Sequence, residues 1–181
     1  MHDLDCPQDH SVWLRFAPPV ESSLGNYVKE LASARQSPAF VPHITLLGDL
    51  KGPPAATLNQ CQRVIATLAP VTATFTALER GDAFFMSLYF AVSLPAHVVK
   101  LRRDISAGLQ VRPPRFDPHV SLAYGEDSGS LTQEVEAALR SQFENLRAPI
   151  AALSIVSSSR SIPIAEWCSL VDLPVARTRS G

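Results

Sequence analysis

The sequence predicts an α+β domain, a bilobal duplicated fold in which two mostly antiparallel sheets line a central cleft and helices cover the outside. Three observations predict it. The apolar pattern runs strand, helix, strand, helix, hairpin and then helix, strand, helix, hairpin; the hairpins call for antiparallel pairing; and one seven-residue motif occurs twice, 76 positions apart. A chain of 181 residues has the size of one domain, or of two small lobes sharing a core, and buries roughly two thirds of its unfolded surface. Residues 1–181 are therefore read as a single unit, with a mobile tail after about Pro174.

Ser11–Ala17 alternates apolar and polar residues and stops at Pro18–Pro19, which cannot extend a ladder, so it reads as a strand. Leu24, Tyr27, Val28 and Leu31 then recur at helical spacing up to about Arg35. Phe40–Leu47 is the second strand, with Gly48–Asp49 as its turn. After Pro53–Pro54 a second helix carries Leu58, Cys61, Ile65 and Leu68 on one face and closes at Pro70. Val71–Leu78 and Phe84–Ser93 are β-rich, and Arg80–Gly81–Asp82 between them is a hairpin signal. Val98, Leu101, Ile105 and Leu109 mark a third helix, broken by Arg112–Pro113–Pro114 before a strand at His119–Tyr124. Leu131, Val135, Leu139 and Phe143 mark a fourth, and Ile150–Val156 and Glu166–Val171 return to strand character.

Sixteen Lys plus Arg against seventeen Asp plus Glu leave a net charge of −1, which excludes the overall basic field that grips long nucleic acids. A small or terminal phosphate fits better. The N-terminus lacks the basic-then-apolar pattern of a signal peptide, and no apolar run is long enough to span a membrane. The chain thus reads as a soluble intracellular monomer, cytoplasmic or nuclear. Cys6, Cys61 and Cys168 have no metal-ligand spacing and are read as ordinary thiols, a Cys61–Cys168 bridge being the alternative. His2, His10 and His97 stand outside any repeat and are read as solvated surface residues.

The chemistry lies in the repeat. Phe40-Val41-Pro42-His43-Ile44-Thr45-Leu46 and Phe116-Asp117-Pro118-His119-Val120-Ser121-Leu122 both read F-x-P-H-[IV]-[TS]-L. Side chains two apart on a strand share a face, so His43 and Thr45 point one way while Ile44 and Leu46 pack the core; His119 and Ser121 repeat the arrangement. One H-x-T alone is an ordinary structural histidine. Two copies with matched flanks in separate halves, related by a pseudo-twofold axis, bring two imidazoles and two hydroxyls to one cleft. Phosphodiester cleavage needs that set, since the attacking and leaving oxygens lie on opposite sides of phosphorus and each must lose or gain a proton. Histidine titrates near neutrality unaided, so a pair serves as base and acid, with a bell-shaped pH–rate profile around neutrality. The Thr45 and Ser121 hydroxyls would hold the non-bridging phosphate oxygens. A metal is the other use for paired histidines, but neither copy has the H-x-H or H-E-x-x-H spacing of a second ligand; Asp49 and Asp117 are the remaining recruits, and Asp117 has no counterpart at Val41. No metal and no cofactor is expected.

With these motifs the chain resembles the two-histidine (2H) phosphoesterase superfamily, marked by a pair of H-x-[TS] motifs on central strands of a bilobal α+β fold. Within it the similarity is to the cyclic phosphodiesterases of the plant and yeast type, carried also by Ser11-Val12-Trp13, Phe84-Phe85-Met86-Ser87, Tyr124 and Trp167. The resemblance implies metal-independent hydrolysis of ADP-ribose 1″,2″-cyclic phosphate to ADP-ribose 1″-phosphate and of nucleoside 2′,3′-cyclic phosphates to 2′-phosphates, in steps downstream of tRNA splicing. It implies that His119 activates water and His43 protonates the leaving oxygen, with phosphate held by Thr45 and Ser121. It makes Trp13, Phe85 and Tyr124 candidate cleft walls on which a base could stack for about 1–3 kcal/mol. The alternatives are an RNA-end or 2′-5′ phosphodiesterase of the same superfamily, or a nucleotide-phosphate binding module without turnover. The cysteines do not match the disulfide positions associated with plant members, so redox control of a cleft loop is not implied.

Overall fold

The structure, a computed structural model, describes residues 3–125 and 131–175. Its elements in chain order are β1 (His10–Phe16), α1 (Pro18–Ala34), β2 (Ile44–Leu50), α2 (Pro54–Ile65), β3 (Thr72–Arg80), β4 (Leu88–Ser93), α3 (Ala96–Gly108), β5 (His119–Ala123), α4 (Gln133–Phe143), β6 (Arg147–Ser157) and β7 (Cys168–Pro174). Short 3₁₀ turns at Phe84–Met86 and Ile164–Glu166 precede β4 and β7.

All strand pairings are antiparallel, in the order β2-β1-β6-β3-β4-β5, with β7 also on β6. The long β6 belongs to both halves. Its residues 147–149 pair with β3, whereas 150–156 pair with β1 and 152–157 with β7. The two expected sheets are therefore one curled sheet joined through a single strand, and the two motif strands are its ends, brought into contact with each other.

The duplication extends to the register. Trp13 pairs with Thr45 and Leu14 with Ile44; 76 positions on, Tyr89 pairs with Ser121 and Phe90 with Val120. The helices that lead into the motifs also end alike. Beyond α1 and α3 the chain passes through a left-handed glutamine, Gln36 at φ 51° and Gln110 at φ 56°, while Ser37 N–H donates to Ala32 O and Val111 N–H to Ser106 O. These bonds satisfy carbonyls that a helix end would otherwise leave open.

Local chemistry moves several boundaries from their expected places. Both motif strands begin after the motif proline, at Ile44 and His119, because Pro42 and Pro118 have no N–H to give a ladder. Phe40–His43 thus precede the strand expected to contain them. Gly48–Asp49 is not a turn: it lies inside β2, where Asp49 at φ 53° accompanies a register shift against β1. Pro18–Pro19 stop β1 and also start α1, where a missing N–H costs nothing. Phe84–Met86, expected in the strand, turn their carbonyls toward β5: Phe84 O accepts from Gly125 N–H and Phe85 O from the Ser121 hydroxyl.

Leu24, Val28 and Leu31 of α1, and Val98, Leu101 and Ile105 of α3, pack against the inward residues of the strands, among them Leu14, Ile44, Phe75, Phe90, Val120 and Leu153, in one continuous core. None of Cys6, Cys61 and Cys168 is in a disulfide, which removes the Cys61–Cys168 bridge; Cys61 is buried in that core on α2. His10 is not a surface residue. It is 1% exposed, its Nδ1–H donating to Gln8 O (2.9 Å) and its Nε2 accepting from the Thr57 hydroxyl (2.8 Å). His97 is half-buried, also unlike the expectation, and His2 lies outside the described residues. So does the tail after Val175, a residue that itself packs into the core. No helix among the described residues is long and apolar enough to cross a membrane.

Candidate active site

Where the two motif strands meet, a cleft of about 450 Å³ opens. His43, Thr45, His119, Ser121, Tyr124, Trp13 and Phe85, the residues singled out from the sequence, all line it. Arg102, Phe116, the 114–117 loop, Ser158–Arg160 and Trp167 complete the walls.

The two histidines are held in the same way. His43 Nδ1 lies 2.6 Å from Val41 O and His119 Nδ1 lies 2.8 Å from Asp117 O, each the carbonyl two residues back. A carbonyl can only accept, so Nδ1 carries the hydrogen in both rings, and in the neutral form each Nε2 is a bare lone pair. In both copies this carbonyl belongs to the residue just before the motif proline, so proline and histidine keep the same spacing.

Their surroundings differ. His43 is 7% exposed and lies flat under the Trp13 indole, ring centroids 3.5 Å apart at 5°. Burial pushes its pKa down to about 3; the Val41 carbonyl opposes that shift, while the positive charges of Arg15 and His119 add to it. His119 is half-exposed and meets Tyr89, the register counterpart of Trp13, edge-on at 5.5 Å and 69°. Thr45 is half-buried, whereas Ser121 is buried and donates its hydroxyl to Phe85 O at 2.8 Å.

Two of the three expected aromatic walls are largely covered by other rings. Trp13 is 4% exposed with one face taken by His43, and Tyr124 is 8% exposed with its ring stacked on Phe40 at 3.9 Å and 14°. Burial raises the Tyr124 phenol well above its ordinary value, its hydrogen bond with Ser121 opposing the shift. Both act as backing for other rings. Phe85 and Trp167, half-buried and stacked at 6.0 Å, are rings of the cleft lining that keep some free area.

Sequence reasoning missed the opposite end. Arg102 reaches from α3, its Nε donating to Leu46 O (2.9 Å), its Nη2 to Pro114 O (2.8 Å), and its guanidinium lying over the Phe116 ring at 4.7 Å. An arginine on a helix face gave no motif to find it by. The Ser158–Ser161 loop is pinned beside it: Asp9 accepts from Lys51, Ser159 and Ser161, which holds its carboxyl down at about 2, and Arg160 N–H donates to Asp49. Among the described residues no three His, Cys, Asp or Glu side chains are grouped to hold a metal ion.

A family model for the 2'-5' RNA ligase superfamily matches residues 20–161. No curated protein matches the sequence. Among solved structures, the chain is similar to TT0787 of Thermus thermophilus, at 16% identity and a TM-score of 0.64 over 93% of this chain and 98% of that one. It is also similar to E. coli LigT complexed with ATP, at 11% identity and a TM-score of 0.61 over 95% and 99%, and to the same protein complexed with 3'-AMP, at 12% and 0.58 over 94% and 99%. At such identities the likeness is one of fold.

Proposed function

The chain belongs to the 2'-5' RNA ligase superfamily, that of the two-histidine phosphoesterases, and from that premise we propose that its cleft hydrolyses small cyclic phosphates: nucleoside 2′,3′-cyclic phosphates and ADP-ribose 1″,2″-cyclic phosphate. The observation that carries the reading is the matched pair of imidazoles, each with Nδ1–H tied to its i−2 carbonyl and Nε2 left for proton transfer, in one cleft with two hydroxyls. The binding of ATP and 3'-AMP by LigT fits a nucleotide-sized ligand here.

The reaction needs one proton removed and one supplied. Water attacks phosphorus and loses a proton to a neutral imidazole; the ester P–O bond on the far side breaks, and the leaving oxygen takes a proton from the other imidazole. The resemblance gave His119 the first task. Burial bears on His43 alone: it holds that ring neutral, with a pKa of about 3, so that His43 starts without the proton this assignment asks it to give. In this assignment Thr45 holds a non-bridging oxygen, Ser121 does so only by releasing Phe85 O, and Phe85 with Trp167 flank the base.

The purified protein should turn over 2′,3′-cyclic AMP and ADP-ribose 1″,2″-cyclic phosphate in the presence of EDTA, and His43→Ala and His119→Ala should each lower kcat by at least about 10²-fold while remaining folded. Turnover of neither substrate would sink the enzymatic reading, and loss of activity in EDTA would sink the metal-independent one.

A further inference from the structure

The twofold that relates the lobes is broken at the two ends of the cleft. Phe40, which opens the first motif, stacks on Tyr124. Phe116 opens the second motif, and the position corresponding to Tyr124 is Gly48, with no side chain to cover it. The face of Phe116 is taken instead by the guanidinium of Arg102. The hairpin connections differ in the same sense. The turn after β3 brings Phe84 and Phe85 to the Tyr124 end, whereas the turn after β6 brings Ser158, Ser159 and Arg160 to the Arg102 end.

The charges at that second end do not cancel. Arg115 pairs with Asp117 at 3.1 Å and Arg160 with Asp49 at 3.4 Å. Arg102 donates only to the carbonyls of Leu46 and Pro114, and no carboxylate among the described residues neutralises it. Five N–H groups belong to a guanidinium, so two such bonds leave three to offer, in a fork already fixed by two carbonyls and a ring. Ser158 Oγ at the same end is buried without a hydrogen-bond partner. A held, half-buried, unneutralised arginine and an unpartnered buried hydroxyl lining the same cleft are suited to an anion.

We infer that Arg102 forms a second anion subsite, and that the preferred substrate carries, besides the cyclic phosphate between His43 and His119, a further phosphate that lies against Arg102 while its base lies at the Phe85–Trp167 end. This rests on the hydrolase reading above and deepens it: a bare nucleoside cyclic phosphate leaves the Arg102 end empty, whereas a cyclic phosphate on a molecule with a second phosphate or a diphosphate fills both ends.

Two measurements separate this inference from the reading it rests on. In the first, kcat/KM is compared for 2′,3′-cyclic AMP and for the same compound bearing a 5′-phosphate. The native protein should favour the latter by about tenfold or more, chiefly through KM. Arg102→Met should collapse that ratio toward one, and Arg102→Lys, which keeps the charge and loses the fork, should retain part of it. In the second, binding of 2′-AMP and of 2′,5′-ADP is measured by calorimetry on native and variant proteins, whose folding is checked by thermal unfolding. Preference for the two-phosphate ligand that depends on Arg102 supports the subsite even where no substrate is turned over. Turnover of 2′,3′-cyclic AMP without any such preference, or an equal loss on both ligands in Arg102→Met, overturns the subsite and leaves the hydrolase standing.

Discussion

The indole of Trp13 lies flat on the imidazole of His43, 3.5 Å away and only 5° from parallel, while Tyr89 at the equivalent register position meets His119 edge-on. One partner of a matched pair is thus roofed and the other left open. The roof fixes the ring plane of His43 and keeps water from it, so the same indole both orients the imidazole and discourages its charge. Trp13→Ala should therefore raise the His43 pKa from its low value toward the ordinary histidine range, followed by NMR titration of the ring protons. Stability should fall by about 3–5 kcal/mol, the usual cost of deleting a large buried ring. An unmoved His43 titration would mean that burial by other groups holds it down.

The pH dependence follows from signs. His43 and His10 both have folded pKa values held below the ordinary 6.5 by burial. The unfolded chain therefore binds more protons than the native one below that pH. Stability from these two residues is complete above about pH 6.5 and drains as the pH falls through the folded values, at up to about 1.4 kcal/mol per pH unit for each group. Urea unfolding at pH 7.5, 6, 5 and 4 should show a midpoint falling with acidity, and His10→Gln should flatten the slope.

For activity, the low His43 pKa alters the bell around neutrality that a generic histidine pair implies. Protonation of His43 puts no limb on kcat/KM of the free protein until far below neutrality. A limb near pH 6.5 traced to His43 by NMR titration would overturn its low pKa.

The two hydroxyls should not be equal. The Ser121 hydrogen already belongs to Phe85 O, whereas Thr45 is half-exposed to the cleft. Thr45→Val should raise KM by about tenfold, the loss of roughly one hydrogen bond to a charged oxygen. Ser121→Ala should raise it less and should loosen the Phe84–Met86 turn, visible as faster amide exchange at Gly125, whose N–H is tied to Phe84 O.

Gln36 and Gln110 sit in a backbone region that costs a side-chain-bearing residue about 1 kcal/mol or more. Gln36→Gly and Gln110→Gly should each stabilise the protein by about 0.5–1 kcal/mol in denaturant unfolding, with no change in the cleft. Destabilisation would show that the glutamine side chains do more than tolerate the turn.

Much of this was legible in the sequence because the strands obey short-range rules. The repeated F-x-P-H-[IV]-[TS]-L placed the histidines and hydroxyls on one face and Ile44, Leu46, Val120 and Leu122 on the other, and the core contains those four. The α+β order and the antiparallel hairpins followed from periodicity alone. What escaped depends on contacts distant in sequence. Trp13 reads as a surface for a base until Thr45 is seen to pair with it and bring His43 beneath. His10 reads as solvated until Thr57, on α2, is seen to reach it. Arg102 is one of several charges on α3, set apart only by the loop that folds over it. The prolines were read as breakers of strands, and the bond from each histidine to the carbonyl just before its proline needs three-dimensional geometry.

The sharing of β6 between both halves sets the mechanics of the cleft. Lobes joined by a flexible linker can part like jaws to admit a ligand; here the eleven residues of one strand are hydrogen-bonded into both sides at once. Movement between the lobes would accordingly fall on one point of that strand, between Pro149 and Ile150, where its pairing passes from β3 to β1. The two sides of the cleft are thus coupled through a continuous backbone rather than through a loop.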